Sequence, residues 1–215
     1  PNEKTAEFWL NFQDFIYGKK VEKMTSEIIK GLSKAELSGN LKCQLMLRSV
    51  SLSDKEEALE VIDAANEFAS EFSKREKILA FAGIHTYRMR ILAILGRTNS
   101  EIEKERNSAV IYLRQAFEIL KDDGELKDYR KLFDYMKSVF VNASSFDIPQ
   151  TVEMLNQFME CVDSVSKFSD SDDFLVIRVS ILDHLCKAYT KKQFRDYEKS
   201  KEYGEKALEI MDKAV

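Results

Sequence analysis

The nucleophilic and metal-ligating side chains of this sequence are few and scattered. The two histidines, His85 and His184, are far apart in sequence. His184 has Asp183 beside it and Asp196 twelve residues on, which is not a metal-ligand spacing on a helix. The three cysteines, Cys43, Cys161 and Cys186, form no Cys-x-x-Cys pair and sit among apolar neighbours. An odd number at wide spacing reads as reduced core thiols rather than as a disulfide framework or a zinc site. No glycine-rich phosphate loop, nucleophile elbow or zinc-protease helix motif occurs. Carboxylates such as Glu202 alternate with lysines such as Lys206 at helical spacing, the pattern of a solvated helix face rather than of an acid/base couple. The expectation is therefore a protein that is not an enzyme, with no metal and no cofactor.

What remains is the chemistry of cations. The net charge is −4, which speaks against a general nucleic-acid binder, yet one third of the residues are charged. The signs are segregated along the chain. Residues 40–51, 75–97, 126–138 and 174–192 together carry +11, whereas 54–73, 101–122, 150–168 and 196–213 together carry −11. The two segments before residue 37 break the alternation. Within the basic segments, helical phase groups His85, Arg88 and Thr86; then Lys127, Arg130, Lys131, Asp134 and Lys137; then Asp183, Lys187, Thr190 and Lys191. A face of one sign attracts partners of the other.

The elements that must position these cations are helices. Seven glycines and two prolines in 215 residues are too few for a turn-rich β fold. Apolar residues recur at helical spacing nearly throughout, and about ten helices are expected. The first, about 5–17, carries Phe8, Trp9, Phe12, Phe15 and Ile16 on one face; the second is about 19–35. The others are about 41–51, 54–73, 74–95, 100–121, 125–141, 149–163, 174–191 and 197–214. Ser53 or Asp54 is expected to cap the fourth, and Ser100 with Glu103 to form a capping box for the sixth. Gly96 and Gly124 read as helix stops, and Pro149 as a first-turn proline. The longest connections are five or six residues, so a single domain over 1–215 is expected. No run of eighteen apolar residues occurs, so no membrane helix is expected. Residues 1–10 carry charges and no apolar signal core, which suggests a cytoplasmic protein.

The last helix pair resembles the tetratricopeptide repeat. Leu185-Cys186-Lys187-Ala188-Tyr189 is similar to that family's Leu-Gly-x-Ala-Tyr segment, with cysteine in place of glycine. Ser200, Tyr203, Ala207 and Leu208 fill its second-helix positions for small, aromatic, alanine and large apolar residues. Ala109, Tyr112, Ala116 and Phe117 repeat that pattern, and Ala58, Val61 and Ala65 echo it. The match is good only for about 181–214. About 43 residues per pair, and no proline after each second helix, depart from the family. The resemblance implies an all-α array of about five antiparallel helix pairs, a tetratricopeptide-like right-handed solenoid with first helices on the concave face. The basic segments are then the first helices. The expected role is an interaction scaffold whose basic groove, lined by Arg88, Lys127, Arg130, Lys131, Lys187 and Lys191, binds an acidic or phosphorylated protein segment. Two alternatives share these features. One is a helical-repeat nucleic-acid binder, which would need exposed aromatics; Tyr87 and Tyr129 lie near the stripes but have good core readings. The other is a subunit of a larger assembly, or a homo-oligomer, docking through the apolar helix at 5–17.

Overall fold

The computed structural model describes residues 39–50, 55–143, 148–191 and 194–213, together with Gly31. Those residues are all-helical, with no strand among them. The helices are α1 (Gly39–Ser49), α2 (Lys55–Ser70), α3 (Lys74–Ile94), α4 (Asn99–Leu120), α5 (Leu126–Ala143), α6 (Ile148–Asp163), α7 (Asp172–Thr190) and α8 (Tyr197–Lys213), with a 3-10 turn at Ser166–Phe168. They correspond to the third to tenth expected segments. The apolar helix expected at 5–17, the one at 19–35 and the Ser53 or Asp54 cap lie outside the described residues. No helix among the described residues is long and apolar enough to cross a membrane.

Helix ends are set by short-range chemistry. Ser73 caps α3: its Oγ accepts from the Glu76 amide at 3.4 Å and donates to the Glu76 carboxylate at 2.8 Å. Lys77, one residue on, donates to the Ser70 carbonyl at 3.2 Å and so satisfies the end of α2. α4 begins on a capping box two residues earlier than expected, Thr98 with Glu101 rather than Ser100 with Glu103. The Thr98 amide and hydroxyl donate to Glu101 Oε2 at 3.1 and 2.7 Å, and the Glu101 amide donates back to Thr98 Oγ1 at 3.4 Å. Those bonds hold the Glu101 carboxyl below its ordinary pKa. Threonine wins because Gly96 has already ended α3. At φ +66° it allows the Arg97 amide to reach Leu92 O at 3.0 Å and its own amide to reach Ala93 O at 3.2 Å. Only the residue after that closed turn is free to begin the next helix.

Packing divides the chain into two compact units, Pro1–Ala109 and Val110–Val215, and the division falls inside α4. In the first unit α1 packs on both α2 and α3, and α2 on α3. The core there is aliphatic: Cys43, Leu45, Met46, Leu47, Val50, Ala58, Val61, Ile62, Ala65, Ala69, Ala80, Ile84 and Ile91. Alanines at 58, 65 and 69 line the inner face of α2, and the larger Phe68, Phe72, Phe81 and Tyr87 close the rim, partly buried.

In the second unit α5 packs on α6 and α7, α6 on α7, and α7 most closely on α8. Its core is aromatic. Phe174 lies 4.8 Å from Phe133 and 5.4 Å from Tyr129, centroid to centroid, and Phe117 lies 5.6 Å from Tyr129. Tyr129 is buried, and its hydroxyl donates to the Leu120 carbonyl at 2.6 Å, closing the end of α4. Burial among these groups raises the phenol's pKa, with nearby Asp123 and Asp128 adding to the effect. α7 and α8 meet through small side chains: Cys186 Sγ lies 3.3 Å from Ser200 Oγ, and a Cβ built on Gly204 would lie 3.8 Å from the same sulfur.

Candidate interaction surface

The cations singled out in the sequence lie in both units, and each unit is best considered by itself. In the first unit, Arg88 of α3 pairs across to Asp63 of α2. Arg97 reaches Glu56 at 3.5 Å. His85 Nδ1 lies 2.7 Å from Glu105 of α4, with the ring edge-on to Phe81. Thr86 is buried, donating to the Ala82 carbonyl at 2.7 Å, so it faces inward rather than joining the exposed stripe. Arg88 of the basic α3 is thus directed to the acidic helix beside it.

In the second unit, α5 and α7 run side by side in the same direction. Arg130 Nε donates to Asp173 at 2.7 Å; Phe133 meets Phe174; Phe140 lies 4.5 Å from His184 with the rings tilted. Ten residues along α5 therefore match eleven along α7. This register decides which expected site residues come together. Lys127, Arg130 and Lys131 lie at the N-terminal end of the α5/α7 pair. Lys187 is fourteen residues beyond Asp173, about 21 Å along the helix, so it and Lys191 lie toward the other end. The six residues expected to line one groove therefore fall into three places: Arg88 in the first unit, and two groups at opposite ends of α5/α7.

Their local electrostatics also differ from isolated cations. Lys127 lies 2.6 Å from Glu125, which raises the ammonium pKa and lowers that of the carboxyl; both groups are fully exposed. Lys187 holds Asp183 at 2.6 Å one turn back. Lys131 is half-buried and Lys191 exposed. Arg178 of α7 reaches Asp163 of α6 at 2.9 Å and donates to the Ser169 carbonyl at 2.8 Å. The alternation of sign along the sequence is thus partly a pairing code between neighbouring helices. Asp63, Asp173 and Asp163 are the acids that sequence spacing could not pair, because they lie 25, 43 and 15 residues from their arginines. Exposed pairs of this kind contribute only about 0–1 kcal/mol each, so an incoming carboxylate or phosphate can exchange for the internal acid.

The remaining reactive side chains are occupied structurally. His184 Nδ1 lies 2.8 Å from the Ser180 carbonyl. All three cysteines are free thiols, and burial pushes that of Cys161 up to about 11. No group of three or more metal-ligating side chains is assembled among the described residues. The second-helix pattern proves uneven. Ser200 and Ala207 are buried as Ala109 and Ala116 are, but Phe117 is fully buried whereas its counterpart Leu208 is 59 % exposed.

The architecture defines the class as an all-helical protein of packed, short-looped helices. No family model, curated protein or solved structure matches the chain.

Proposed function

We propose that the chain is a non-catalytic interaction scaffold built from tetratricopeptide-like helix pairs, and that the Lys127–Arg130–Lys131 end of α5 binds an acidic or phosphorylated protein segment. One observation carries the reading: α5 and α7 lie parallel and in register, and α1 likewise packs on α3. Contact between alternate helices is what a stack of helix pairs requires, with the first helices side by side along one face. On that face Arg130 already holds a carboxylate, Asp173, at 2.7 Å. The site therefore has the geometry to receive the same group from a partner, through charge-assisted hydrogen bonds.

The reading is tested by titrating fluorescent peptides rich in glutamate or phosphoserine into the protein, beside the triple variant Lys127→Glu, Arg130→Glu, Lys131→Glu. Binding that weakens with salt and is lost in a variant of unchanged thermal stability supports it. Equal affinity for the variant removes this end of α5 from consideration.

A further inference from the structure

α8 presents two apolar faces. The inner one, Ser200, Tyr203, Ala207 and Ile210, is buried or half-buried against α7. The other is exposed. On it Tyr197, Lys201, Leu208 and Met211 fall on one helical row, while Gly204 between them is half-buried against Cys186 of α7. Tyr197, Leu208 and Met211 are 62 %, 59 % and 51 % exposed, and the Arg195 guanidinium lies 5.5 Å from the centroid of the Tyr197 ring.

The chain itself shows what such a row receives. Ala109, Ala116 and Phe117 of α4 stand where Ser200, Ala207 and Leu208 stand in α8. Phe117 is covered by Tyr129 and Phe133 of α5. α5 is an amphipathic helix whose polar face carries Lys127, Arg130, Lys131 and Lys137 against Asp128 and Asp134. At Leu208 the corresponding cover is lacking among the described residues. The edge beside this row is acidic: Glu198, Glu205 and Asp212 repeat every seven residues along it, with Lys201 at 3.8 Å from Glu205 and Arg195 over the ring of Tyr197 at its start.

We propose that the outer face of α8 docks a basic amphipathic helix of a partner protein. The partner's apolar side chains would bury Leu208, Met211 and the ring of Tyr197, and its lysines or arginines would meet Glu198, Glu205 and Asp212. A second copy of this chain is the poorer occupant. Two copies of α8 packed face to face through Leu208 and Met211 bring two edges of the same acidic sign together, and like charges across such a contact repel. The surface is separate from the cationic end of α5 and takes a ligand of opposite charge.

The test uses two synthetic helical peptides with the same leucine face, one flanked by lysine and arginine and the other by glutamate, titrated by fluorescence anisotropy. The proposal expects the basic peptide to bind and the acidic one not to. Leu208→Asp should weaken binding about tenfold or more, the loss of roughly one buried leucine contact. Glu205→Lys with Asp212→Lys should do the same, whereas the triple reversal at Lys127, Arg130 and Lys131 should change nothing. These α8 positions are exposed, so circular dichroism should show the variants folded. Failure of the basic peptide to bind, or equal binding of both peptides, overturns the proposal. So does a dimer in sedimentation that Leu208→Asp dissolves, which assigns the row to a second copy.

Discussion

The two units reach the same helical architecture with different core chemistry. In the first, alanines on α2 bring backbones together and the larger side chains sit at the rim. In the second, Phe117, Tyr129, Phe133 and Phe174 meet ring to ring at the centre. A helix pair can close by removing volume from the interface or by filling it with large flat groups. The first leaves little room for added atoms; the second depends on atoms already there. The charged surface follows the same division of labour. Arg88 binds Asp63 of α2 within one unit, and Arg130 binds Asp173 of α7 within the other.

The sharpest way to break this contrast is to truncate one member of each core. Phe174→Ala should cost about 3–5 kcal/mol, since it empties the centre of a ring cluster that cannot collapse around alanine. Denaturant unfolding would measure it. The converse change, Ala65→Leu in α2, should cost about 1–3 kcal/mol by overpacking, although it adds apolar surface. If Ala65→Leu proves neutral, the alanine face is not closely packed and the contrast fails.

Smaller effects sharpen the picture at helix ends. Thr98→Ala and Ser73→Ala should each cost about 1 kcal/mol by removing a capping hydroxyl. Ser100→Ala should cost much less, because Thr98 holds the cap. Tyr129→Phe keeps the ring and removes only the bond to Leu120 O, again about 1 kcal/mol. Thermal melts of the four variants would rank them.

How far these features were legible follows from the range of the interactions. The α5 stripe of Leu126, Tyr129, Leu132, Phe133, Met136 and Phe140 could be read from period alone, and all but the half-buried Leu126 are buried. Gly96 was legible as a stop because its φ is a local property. The capping box was misplaced by two residues because both Thr98-x-x-Glu101 and Ser100-x-x-Glu103 fit the pattern; only the length of the glycine turn distinguishes them. The sign alternation was visible, but its use was not. Arg130 and Asp173 are 43 residues apart, and no local rule pairs them. The spread of the expected groove residues was likewise hidden, because it depends on the register between α5 and α7. The outer row of α8 was present at helical spacing, masked by the inner pattern that shares the same helix.

A last effect concerns Cys161, and it reads burial in the aromatic unit by titration. Cys161 lies in the aromatic unit, and burial raises its thiol from an ordinary value of about 9 to about 11, only partly countered by Arg114. The folded protein therefore holds that proton more tightly than the unfolded chain does. By linkage, the contribution is present below pH about 9 and is lost as pH rises toward about 11. Wild type should accordingly lose stability relative to Cys161→Ala across that window, a comparison that cancels the tyrosines and lysines titrating nearby. Urea unfolding of both proteins at several alkaline pH values gives the difference directly. At neutral pH the same shift should make Cys161 slow to alkylate in the folded state, since the thiolate is the nucleophile. Rapid alkylation of Cys161 under native conditions would show that α6 opens readily. The close packing inferred for the aromatic unit would then fail at that helix.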